Sequence, residues 1–102
     1  MIKLALFASL EAKPGKEADV AAFLEAGLAM ARAETTTPIW FALRLSPTTF
    51  GVFDAFHNED GRERHLSGPI AQALMAKAPE LFASPPRIDR IEVLGLKNDG
   101  SA

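Results

Sequence analysis

The residues able to move a proton are few in this chain, and the most suggestive of them share one stretch. Asp54 interrupts the apolar run T-F-G-V-F-D-A-F-H, and His65 follows in a polar segment that closes on S-G-P-I. An imidazole titrates near pH ~6.5 and needs little tuning to act as a base, which makes His65 the first catalytic candidate. A carboxylate among apolar neighbours has its charged form penalised, so Asp54 is a second base or the group that orients His65. Each has a plainer reading: His65 as a helix histidine bonded to a carbonyl or a partner subunit, Asp54 as a buried acid paired with an arginine or capping a helix. Trp40, Phe41 and Phe56 offer aromatic walls for a ligand, with Asn58 and Arg62 on the same side of a helix as His65. Trp40 is first a packing group whose N–H needs a partner if buried. Asn58 is first a helix cap and only then an oxyanion donor, and Arg62, with Glu63 and Arg64, also reads as a solvated helix face.

Other chemistry has no visible seat. The sequence contains no G-x-G-x-x-G, no G-x-x-x-x-G-K-[ST] and no paired metal-ligand spacing, so no cofactor or metal is expected. With no cysteine there is no disulfide or thiolate nucleophile. A net charge of −2 with mixed signs gives no basic footprint for nucleic acid. No apolar run approaches the roughly 20 residues of a membrane helix. The apolar opening is broken by Glu11 and alternates like a strand rather than a signal peptide, so a cytoplasmic protein is expected.

The elements that must carry these residues follow from periodicity. Residues 2–11 alternate as a strand. After the Lys-Pro-Gly-Lys break, Val20, Phe23, Leu24, Gly27, Leu28 and Ala31 recur at three and four residues, predicting an amphipathic helix to about Ala33. Residues 39–45 and 50–56 predict a hairpin, and setting Leu45 opposite Phe50 pairs Phe41 with Asp54. A helix begins after Asn58, ends or kinks at Ser67-Gly68-Pro69, and closes at Ala78-Pro79. The last strand covers 87–96. At 102 residues without a composition break, the chain is expected to form one domain over 1–97, with a flexible tail at 98–102.

This order, βαββαβ, predicts an α+β, ferredoxin-like fold: a four-stranded antiparallel sheet with two helices on one face. Both faces of the central strands are apolar, and each large side chain left wet forfeits on the order of 1.5–3 kcal/mol. A homodimer closing two open sheet faces against each other is therefore expected.

The stretch F-G-V-F-D-A-F-H-N-E-D-G-R-E-R-H-L-S-G-P-I, with the preceding Lys-Pro-Gly-Lys turn and the following Pro-Pro-Arg strand start, resembles the antibiotic biosynthesis monooxygenase family of dimeric α+β barrels. Asp54, Phe56, Glu59, Asp60, His65, Ser67, Pro69 and Ile70 occupy the family's motif positions in turn. The resemblance implies a cofactor-independent monooxygenase or related oxidoreductase acting on a small phenol or quinol-like compound. Phe56 stands where many relatives carry Trp or Tyr, which keeps open a non-catalytic barrel that only binds a small apolar or aromatic molecule. Haem degradation, a branch of the family, would need an asparagine near Ala8 or Ser9 and a tryptophan near Phe56, and neither is present.

Overall fold

A computed structural model describes residues 1–98, so the expected tail at 98–102 lies almost wholly outside the described residues. The elements are β1 (Leu4–Glu11), α1 (Glu17–Ala33), β2 (Ile39–Arg44), β3 (Thr49–Phe56), α2 (Glu59–Leu66), α3 (Pro69–Leu81) and β4 (Arg87–Glu92). The four strands form one antiparallel sheet in the order β2-β3-β1-β4, the ferredoxin-like arrangement, with the second helical layer split into α2 and α3. Gly68 caps and Pro69 opens α3, where a missing N–H costs nothing. The expected stop at Pro79 is corrected: α3 runs through it to Leu81. A proline in the last turn forfeits one bond to the carbonyl four residues back, and exposed Met75 at that position lies beside water.

The hairpin register also needs correction. Leu45 N–H donates to the Thr49 carbonyl at 2.8 Å, and the Ser46 hydroxyl accepts from Thr49 N–H at 3.1 Å, so the loop closes one residue tighter than expected. Arg44 therefore faces Phe50, Phe41 faces Phe53, and Trp40 faces Asp54. A slip of one residue exchanges the two faces of a strand. Trp40 and Ala42 thus stand with Val52 and Asp54 beneath the helices, while Phe41 joins Phe53 and Phe7 in a row across the opposite face.

The core lies between sheet and helices. Leu10, Val20, Leu24, Phe50, Leu74 and Phe82 are packed together there with almost no exposure. Most of the α1 stripe turns inward: Val20, Leu24 and Ala31 are buried and Phe23 and Gly27 border a cavity, whereas Leu28, expected on the same face, is exposed. Among the described residues no helix is long and apolar enough to cross a membrane.

Candidate functional site

The central strand β3 delivers Asp54 to the helix-covered face, between Leu6 of β1 and Trp40 of β2. The helix α2 delivers His65 from above. Asn58 starts that helix by accepting from Gly61 N–H at 2.9 Å, which sets the rotation that aims His65 inward. Nε2 of His65 lies 2.8 Å from Oδ2 of Asp54, and the two side chains are 7% and 3% exposed. The other ring nitrogen, Nδ1, lies 2.7 Å from Oε1 of Glu34, the residue that ends α1. Thr37 fixes this third member by donating its hydroxyl to the same Oε1 at 2.9 Å.

Three buried titratable groups from three elements thus form a chain, Asp54–His65–Glu34. A neutral imidazole has one N–H, yet both ring nitrogens face carboxylate oxygens, so the array holds a further proton. Burial works against a charged His65, but the hydrogen bonds and charges of Asp54 and then Glu34 outweigh it and raise its pKa above the ordinary 6.5. Burial likewise raises Asp54 above its ordinary 3.8; the bond and charge of His65 offset part of this, and the Glu34 charge adds to it. An imidazolium held between two carboxylates describes the array, with one excess negative charge.

Both Asp54 and His65 border a cavity of about 110 Å³ between sheet and helices. Its walls are apolar: Leu6, Ala8 and Val52 from the sheet, Phe23 and Met30 from α1, Ile70 and Leu74 from α3. Trp40 borders it too, its indole resting where a Cβ on Gly27 would come within 3.4 Å. Two polar atoms of the lining residues are buried with no hydrogen-bond partner among the described residues: Oδ1 of Asp54 and Nε1 of Trp40. An unmade bond at such an atom costs about 1–3 kcal/mol.

The other expected site residues lie elsewhere. Phe41 is 54% exposed on the opposite sheet face, a consequence of the corrected register. Phe56 is fully buried beside His65, with ring centroids 5.5 Å apart, and supports the imidazole without bordering the cavity. Asn58 is occupied as the cap of α2. Arg62 is neither a ligand contact nor solvated: it is buried, paired with Glu59 at 2.9 Å and donating to the carbonyls of Ala5 and Ile91. Glu34 is the member that sequence reasoning missed. Its trace was an acid at a helix C-terminus, where the helix dipole disfavours negative charge and a compensating cation is needed.

Comparison with known proteins places this architecture. No family model and no curated protein matches the chain. Among solved structures, NE2512, a protein of unknown function from Nitrosomonas europaea, is 55% identical over 99% of this chain and 98% of its own, with a TM-score of 0.94. This chain belongs to the same family as NE2512. Its structural neighbours also include a "putative antibiotic biosynthesis monooxygenase" from Nitrosomonas europaea, 13% identical over 90% of both chains with a TM-score of 0.79. A protein of the same description from Caulobacter crescentus CB15 is 18% identical over 92% of both chains, with a TM-score of 0.78. With them the NE2512 relative shares the ferredoxin-like α+β fold, and the resemblance legible in the sequence stands at the level of that fold.

Proposed function

We propose that the cavity binds a small phenol or quinol-like compound and that the protein is a cofactor-independent monooxygenase or related oxidoreductase, with Asp54 as its base. One observation carries this reading: the Oδ1 atom of a buried carboxylate, on a residue that borders an apolar cavity, has no partner, while Oδ2 of the same group is held by His65. His65 has both ring nitrogens engaged, which moves the base role expected for it onto Asp54 and makes His65 a positioning residue.

The chemistry follows from the geometry. A phenolic O–H placed against Oδ1 gives its proton to Asp54, and the negative charge passes to the substrate. The electron-rich anion reduces dioxygen at the ring carbon opposite the oxygen, forming a C–O bond to a peroxy group. Loss of the proton on that carbon with cleavage of the O–O bond leaves a quinone, and the departing oxygen takes up that proton and the one held by Asp54 to form water, which restores the carboxylate. One oxygen atom enters the product, the other leaves as water, and all four electrons come from the phenol. The low-dielectric walls strengthen each electrostatic contact along this path.

A second reading, a binding protein without turnover, is favoured by Phe56, which places no phenol or indole beside His65 where a further proton donor would stand. Oxygen uptake with a panel of one-ring phenols and hydroquinones separates the two. Uptake without added flavin or metal that falls at least about tenfold, or 1.4 kcal/mol of barrier, in Asp54→Asn is expected. No uptake with any phenol that demonstrably binds leaves the binding reading.

The open sheet face supports a homodimer. Phe7, Phe41 and Phe53 cross it in one row, with the Phe41 and Phe53 centroids 6.3 Å apart, and no helix covers them. Closing two such faces against each other removes this apolar surface from water, in a contact on the order of 800 Å² per partner.

A further inference from the structure

The two unpartnered atoms of the cavity belong to a matched pair. Trp40 and Asp54 are directly opposed across β2 and β3, so their side chains leave the sheet side by side on the helix-covered face. One supplies a donor, Nε1–H of Trp40, and the other an acceptor, Oδ1 of Asp54. His65 Nε2 and Nδ1 are both occupied by carboxylates, and the remaining lining residues are hydrocarbon or glycine apart from the Met30 thioether, a weak acceptor.

We infer that the cavity selects a neutral, single-ring compound with oxygens on two adjacent ring carbons, one donating its proton to Asp54 and the other accepting from Trp40. The inference rests on the proposed ligand site and adds the substrate class. Size sets the first condition. Cavities near ~150 Å³ take up benzene, so about 110 Å³ makes a single ring the upper limit and excludes a fused polycyclic skeleton. Charge sets the second. The array beneath the ligand already carries an excess negative charge, so a ligand carboxylate would be repelled.

Spacing sets the third condition. The two side chains arise from directly opposed positions on adjacent strands, with Cβ atoms about 4.5–5.5 Å apart, so donor and acceptor enter on the same side of the cavity, and adjacent ring oxygens present an acceptor and a donor on one side of a ring. Oxygens across the ring point in opposite directions and satisfy one group at a time. Both atoms are shut off from water and unpartnered, so a ligand that bonds only one of them leaves the other unmade bond in place. Gly27 is part of the device: its lack of a side chain lets the indole lie against α1, which fixes the direction of the N–H.

Trp40 is the one tryptophan of the chain, so its fluorescence reads the cavity directly. The experiment titrates the full-length protein with catechol, resorcinol, hydroquinone and phenol, following tryptophan emission and, in parallel, the heat of binding. Catechol is expected to bind at least about tenfold more tightly than its two isomers and than phenol. In Trp40→Phe, followed by calorimetry, the preference for catechol over phenol is expected to fall below about threefold while phenol binding is kept. Equal affinities for the three isomers, or an unchanged preference in Trp40→Phe, overturn the adjacent-oxygen inference while leaving the cavity as a phenol site. No binding by any of the four overturns the ligand site itself, and the inference with it. Should Trp40→Phe not fold, the isomer series in the unaltered protein decides.

Discussion

Glu34 at the end of α1 holds Nδ1 of His65 at 2.7 Å while Asp54 of β3 holds Nε2 at 2.8 Å, so one imidazole ties the first helix, the second helix and the central sheet. The proposed base and its support thereby come from elements that meet only in the folded chain. Removing Glu34 acts on the site through the bond it makes to His65 and through its charge on Asp54. Glu34→Gln is expected to lower the His65 pKa toward its ordinary value and to cut turnover by about tenfold with little change in ligand affinity. The chain has two histidines, so an NMR titration resolves the His65 signal without ambiguity.

The same array makes stability depend on pH in a definite direction. His65 has a folded pKa raised above 6.5, so its contribution is present in full below pH 6.5 and is lost as pH rises through the folded value. Asp54, raised above 3.8, acts with the same sign at lower pH, its contribution fading as pH rises from 3.8 through its folded value. Half-buried Glu11 and exposed Glu63 act oppositely: the bonds from Thr49 and Arg90 lower them, so their contribution is lost as pH falls below 4.5 through the folded values. The thermal midpoint is expected to be higher near pH ~6 than near pH ~9, and calorimetry of His65→Gln is expected to show a flatter profile.

Two arginines two residues apart, on opposite sides of α2, have unequal weight. Arg62 reaches through the fold to the carbonyls of Ala5 and Ile91, whereas Arg64 makes an exposed pair with Asp60 at 2.7 Å. Arg62→Gln is expected to cost about 2–4 kcal/mol of unfolding free energy, because buried acceptors lose a charged donor. Arg64→Gln is expected to cost less than about 0.5 kcal/mol. Urea denaturation of both variants measures the difference.

The row of phenylalanines on the open face gives the dimer a simple test. Phe41→Asp is expected to yield a monomer by analytical ultracentrifugation, and Trp40, on the other face, is expected to keep its emission spectrum. A monomeric parent protein contradicts the proposed pairing of sheets.

Local pattern determined most of the architecture. Alternation in 2–11, three-and-four spacing in α1, and the Ser-Gly-Pro corner between α2 and α3 each encode an element whose own residues decide it. The βαββαβ order then leaves few topologies, and the ferredoxin-like sheet is one of them. Asp54 and His65 were legible as candidates, Asp54 because a carboxylate in an apolar run is perturbed and His65 because an imidazole needs little tuning.

The composition of the site was decided by tertiary structure. The hairpin register turns on whether Leu45 faces Thr49 or Phe50, a matter of loop closure by Ser46, and that single residue exchanged Phe41 for Trp40 beside Asp54. Arg62 looked solvated because its neighbours Glu63 and Arg64 are, yet helix rotation buries it against β1 and β4. Glu34 lies 31 residues before His65 and carries no motif, so only the tertiary fold, which brings the end of α1 to the His65 ring, makes it a partner. Hydrophobic periodicity fixes which face of an element turns inward, whereas polar contacts between elements depend on loop geometry and relative rotation, which no single segment encodes.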